Sequence, residues 1–97
     1  MEEASAMLSR FPEVNVALMQ AGCVDPLKPE VEPVLDLVRR FKNCYLSTGY
    51  CGEVWYDGTE YPYTNWQGSI KTFVQGVGTD RVMWGADCPW FEHFFKY

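Results

Sequence analysis

The hydrophobic and polar positions along the chain alternate between helical and strand spacing, and that alternation is its clearest feature. Ala4, Met7, Leu8 and Phe11 recur at helix-like intervals, so a helix is expected over Glu2–Phe11, closed by Pro12. Asn15-Val16-Ala17-Leu18-Met19 reads as a first strand, with Ala21-Gly22 at its exit and a loop through Asp25-Pro26 and Pro29. From about Val31 to Phe41, Val34, Leu35, Val38 and Phe41 form one apolar face, while Asp36, Arg39 and Arg40 take the wet side. Pro33 suits the first turn of that helix, where a missing N–H costs nothing. Asn43-Cys44-Tyr45-Leu46-Ser47-Thr48 predicts a second strand ending at Gly49. A third helix is predicted from Asn65, a good N-cap, with Trp66, Ile70, Phe73, Val74 and Val77 as its stripe and Gly78 as its C-terminal glycine. Val82, Met83 and Trp84 follow as a short apolar run between turn residues, the pattern of a strand covered on both faces.

The order is helix, strand, helix, strand, helix, strand, each strand about 30 to 40 residues after the one before. Crossovers of that length suit parallel strands joined right-handedly. The predicted fold class is therefore α/β, with about three parallel strands alternating with helices and no domain boundary within residues 1–97. A (β/α)8 barrel takes roughly 250 residues, so if these are barrel strands the chain is less than half of one, a piece of such a fold.

Composition narrows the partners. The chain has 97 residues, 47% apolar and 16% aromatic, a globular balance. Its net charge is −5, and no Lys/Arg run exceeds Arg39-Arg40, which argues against nucleic acid or an anionic membrane surface. No apolar stretch is long enough to span a bilayer, and Met1-Glu2-Glu3-Ala4 lacks the features of a signal peptide; the expected location is cytoplasmic. Cys23, Cys44, Cys51 and Cys88 are spaced 21, 7 and 37 apart with no CxxC pair, and reduced thiols are expected.

Candidate chemistry starts at Asp87, which follows the third strand between Gly85 and Pro89. In α/β barrels and open sheets, reactive groups sit just past the carboxyl ends of strands. Set against this, an aspartate before a proline also serves simply as an acceptor for turn amides. Cys23, Cys51, Cys88 and His93 all follow strand ends and form a zinc-type donor set on paper, though small buried thiols are ordinary there too. Cys88 with His93 as its base is a further nucleophile pairing. Tyr45, Tyr50, Trp55, Tyr56, Tyr61, Tyr63 and Trp66 either wall a substrate pocket or pack over the sheet rim. The tail from Trp90 through Phe91, His93, Phe94, Phe95 and Tyr97 is strongly apolar, a surface that favours association.

The stretch Gly76-Val77-Gly78-Thr79-Asp80-Arg81-Val82-Met83-Trp84-Gly85-Ala86-Asp87-Cys88-Pro89 resembles the last barrel strand of the amidohydrolase-related (family 2) proteins. There a glycine, a turn residue and Asp-Arg precede the apolar strand, and Gly-Ser/Thr/Ala-Asp-x-Pro follows it. Glu60-Tyr61-Pro62-Tyr63 looks like the segment before the family's next-to-last helix, and Arg10 through Gly22 resembles the lead into its sixth strand. The resemblance implies that the chain is a C-terminal fragment of a TIM barrel, from a metal-dependent hydrolase or non-oxidative decarboxylase acting on small carboxylated or lactone substrates. It implies zinc or manganese as cofactor, and it places Asp87 as the carboxylate that binds or faces the metal.

The departures are specific. Gln20 stands where the family's sixth strand presents a catalytic histidine, and an amide exchanges no proton near neutral pH. Pro89-Trp90 replaces a frequent Pro-His, and the family's His-x-His on the first strand and histidine on the fifth have no counterpart here. The expectation is a partial amidohydrolase-related domain that binds no metal and is inactive as this isolated chain. The alternative is a non-enzymatic interaction module or remnant that self-associates through exposed barrel strands.

Overall fold

The computed structural model describes residues 2–19, 22, 24–48 and 64–84. Their order is helix α1 (Glu2–Arg10), strand β1 (Val16–Leu18), helix α2 (Glu32–Arg40), strand β2 (Cys44–Ser47), helix α3 (Thr64–Val77) and strand β3 (Val82–Met83). Short 3-10 turns, Pro29–Val31 and Thr79–Arg81, lead into α2 and β3. The predicted alternation is met element by element.

The strands form one parallel sheet in the order β1-β2-β3. Val16 pairs with Cys44 and Leu18 with Leu46, which in turn pairs with Val82. Because side chains alternate along a strand, Val16, Leu18, Cys44, Leu46 and Val82 share one face. All five join a single core with Leu8 of α1, Val34, Leu35, Leu37 and Val38 of α2, and Phe73 of α3. The three helices thus serve one face of the sheet, as in a (β/α)8 barrel, whereas doubly wound sheets carry helices on both. The architecture is α/β and compatible with a TIM-barrel fragment.

Three local expectations are corrected. In α1 only Leu8 is buried, with Ala4 packed beside it, whereas Met7 and Phe11 are each 44% exposed. A helix touching the core along one narrow line buries one i, i+4 pair, not the whole stripe. Asn65 lies inside α3, which already includes Thr64. And β3 is not covered on both faces: Met83 is 47% and Trp84 62% exposed. Val82 points to the helices, and no described element packs on the side that Met83 faces.

Two glycines fix the approach of α3. A Cβ on Gly76 would stand 2.8 Å from Leu35 Cδ1, so its absence lets α3 lie close on α2. Gly78 has φ of +92°, a conformation that suits glycine, and its N–H donates to Val74 O at 2.9 Å, ending the helix as predicted. Among the described residues, no helix is long and apolar enough to cross a membrane.

Candidate functional site

Parallel strands deliver their carboxyl ends to one edge, and the register levels them. Leu18, Leu46 and Val82 lie in one row, with β1 and β3 about 10 Å apart across β2. The described chain leaves this edge at Met19, Thr48 and Trp84. The Thr48 N–H donates to Met83 O at 3.0 Å, so the ladder between β2 and β3 continues into the exits. Ser47 and Thr48 are buried here, at 7% and 1% exposure. No titratable side chain belongs to the described part of these exits, so general acid–base chemistry at this edge depends on residues further along the chain.

The opposite, amino edge is where the described side chains converge. Arg81, at the head of β3, donates from Nε to Cys44 O at 3.1 Å and from Nη2 to Val38 O at 2.9 Å and Phe41 O at 2.5 Å. The same Nη2 also bonds Cys44 O, and the guanidinium lies 5.2 Å from the Tyr45 ring centroid. One side chain therefore satisfies carbonyls at the C-terminal end of α2, where the helix dipole is negative, and fixes the start of β3 against β2. Arg39 answers from α2, donating to Gly76 O at 2.8 Å near the end of α3 and pairing with Glu32 at 2.6 Å. Each of the two helices has its last carbonyls served by an arginine from the other unit. Arg40 similarly reaches Ser5 of α1 at 2.6 Å, so the predicted wet side of α2 is also where it is tied to its neighbours.

Asn43 does comparable work for the first unit. Its buried side-chain amide donates to Val14 O at 2.9 Å and Phe11 O at 3.1 Å, and its own carbonyl accepts the Val16 N–H at 2.7 Å. Cys44 follows, fully buried, with its thiol pKa raised by burial and partly lowered again by the charge of Arg81. It is therefore held as an unreactive thiol packed in the core. On the open face, Asn15, Val16, Ala17, Tyr45, Asp80 and Met83 line a hollow of about 360 Å³. It sits toward the amino edge, away from the end where barrels place their chemistry.

Sequence reasoning singled out Asp87 and Gln20, and both lie outside the described residues. So do Cys23, Cys51, Cys88 and His93, the tail from Trp90 to Tyr97, and Tyr50, Trp55, Tyr56, Tyr61 and Tyr63; the side chain of Trp66 is likewise outside. Tyr45 is described, half-buried and engaged with Arg81, two residues before Ser47. Among the described residues, no group of three or more His, Cys, Asp or Glu side chains could hold a metal ion. The described donor set does not fit a metal centre. The roles of Arg81, Asn43 and Arg39 escaped sequence reasoning. One signal was present for Arg81: a cation just after a helix-ending glycine is placed to meet helix carbonyls.

Three parallel strands with helices on one face define a piece of the (β/α) barrel class, whose reactive end is the carboxyl edge. The family model described as Amidohydrolase (Amidohydro_2) matches residues 1–96, nearly the full length of the chain, and the chain belongs to that family. No curated protein and no solved structure matches it.

Proposed function

We propose that this chain is the part of a cytoplasmic, metal-dependent amidohydrolase barrel that carries the closing strands, and that Asp87 is its one contribution to the metal site. The intact enzyme acts on a small carboxylated or lactone substrate, by hydrolysis or non-oxidative decarboxylation, with zinc or manganese as the metal. The observation that carries this reading is the level parallel register from Leu18 through Leu46 to Val82, in a chain of this family. With that register, β3 runs toward the same edge as β1 and β2, and Asp87 follows β3 by four residues. A carboxylate at that end is a hard oxygen donor for a divalent cation.

Alone, the chain does not turn over substrate. It holds a single histidine, and Gln20 occupies the family's catalytic histidine position without being able to exchange a proton. One carboxylate does not assemble a zinc site, which takes three or four protein ligands. The test is an assay of lactone hydrolysis and of decarboxylation with added zinc or manganese. No turnover above background is expected; metal-dependent turnover abolished by Asp87→Ala overturns the inactivity while upholding Asp87 as a ligand.

A further inference from the structure

We infer that Arg81 is a positioning residue: its guanidinium selects the register in which β3 pairs with β2, and so sets the start of the chain that runs on to Asp87. The apolar pattern cannot make that selection. Register is specified where one face of a strand is apolar and the other polar, because a slip of one residue turns every side chain over. Val82, Met83 and Trp84 are all apolar. With β3 drawn back by one residue, Met83 takes the row of Leu46 in place of Val82, and no polar group enters the core. Val82 is only partly buried, so its place is not closed around one side-chain shape as a core site is.

The backbone ladder is no more selective. Among the described residues it holds two bridged pairs, Leu46 with Val82 and Ser47 with Met83, and the bond from the Thr48 N–H to Met83 O at 3.0 Å. Parallel ladders are evenly spaced, so a β3 drawn back by one residue offers Thr48 the Trp84 carbonyl instead.

Arg81 does discriminate. It stands directly before β3, with Nε 3.1 Å from Cys44 O and Nη2 2.9 Å from Val38 O and 2.5 Å from Phe41 O. These carbonyls belong to the end of α2 and the start of β2, so the fork measures β3 against the elements that carry Leu46. Drawing β3 back by one residue carries Arg81 about 3.3 Å along the sheet. Val82, which has no side-chain donor, then stands before those carbonyls. A slip the other way puts Arg81 in the row of Leu46, which has no exposed surface. It also sets the Asp80 carboxylate at the negative end of α2. All of these groups lie in α2, β2 and the lead into β3, so the selection does not depend on what pairs with either outer edge of the sheet. The consequence at Asp87 rests on the metal-site reading: that residue follows Met83 by four, and a slip starts its approach one residue out of place.

Nuclear magnetic resonance on the full chain reads the register, through the scalar coupling that crosses the hydrogen bond from the Thr48 N–H to the carbonyl it meets. In the wild type that carbonyl is Met83. Arg81→Met is expected to add a coupling from Thr48 to Trp84 in about a tenth of the molecules or more, since loss of charged donors shifts such an equilibrium by about tenfold or more. Adding Met83→Ser to Arg81→Met returns the chain to the Met83 coupling alone, because a polar residue then marks the outer face. Arg39→Met, which strips a comparable donor from Gly76 O, lowers stability without adding the second coupling. Where Arg81→Met does not fold, Arg81→Lys takes its place in the test, with a smaller second population. An Arg81 variant that keeps the Met83 coupling alone overturns the proposal, as does a wild type coupled to Trp84. An equal slip in Arg39→Met, or a double variant that stays mixed, overturns it too. The register is read without metal and Asp87→Ala leaves it unchanged, so a failure here and a failure of the metal-site reading appear in different experiments.

Discussion

The two faces of the sheet are made from the same nine strand residues and carry opposite chemistry. On the helix side, Cys44 and Leu46 have no exposed surface, and Phe73 of α3 packs among them fully buried. On the other side Ala17 is exposed, Tyr45 half-buried, and Met83 47% exposed. Stability is concentrated on the first face, because transfer of apolar surface and close packing act only where water has been removed. The second face lacks such cover among the described residues, and in a barrel it is the side from which the interior is built.

Breaking the covered face has the largest expected effect. Phe73→Ala removes a fully buried ring and costs about 3–5 kcal/mol, a large share of the stability of a domain this size. Urea denaturation followed by circular dichroism reads this as a lower midpoint or as loss of the folded baseline. Next is the amino edge, where Arg81→Met keeps the apolar stem but strips the donors from the carbonyls of Val38, Phe41 and Cys44. A loss of about 1.5–3 kcal/mol is expected. Arg81→Lys recovers only part of it, because one ammonium cannot reproduce the planar fork.

The smallest effect belongs to the open face. Met83→Ser changes stability by no more than about 0.5 kcal/mol when measured at a concentration where the chain is monomeric. A cost for Met83→Ser comparable to that of Phe73→Ala would mean that the open face is covered in solution, and the contrast between the faces would fail.

Much of the fold was legible because periodicity reports which side of an element meets the core. Leu35, Val38 and Phe73 were placed on the covered side by spacing alone. The end motif around Asp80-Arg81 led to the family for a different reason, since it is a local string of turn, strand and exit. Illegible were contacts that depend on what lies opposite. The reach of Arg81 to carbonyls 37 to 43 residues away leaves no mark on neighbouring positions. Ser69, buried at 2% and donating to Asn65 O, lies outside the apolar stripe of α3, and a hydroxyl that bonds its own helix backbone leaves no periodic signal. The exposure of Met83 and Trp84 depends on which elements lie opposite, and an apolar run cannot announce that. Of the candidate site, Asp87 and Gln20 lie outside the described residues, and the described structure adds the frame that levels the carboxyl edge.

The exchange of arginines between α2 and α3 has a consequence for how such a fold can be divided and recombined. A cut between β2 and α3 separates Arg39 from the Gly76 carbonyl and Arg81 from the Val38 and Phe41 carbonyls in one stroke. Each half then holds a helix whose final carbonyls have lost their arginine donor. The smallest inheritable block here is therefore larger than one strand and one helix. A crossover that shuffles pieces of this barrel keeps both halves of the exchange intact only if it falls before α2 or after Arg81.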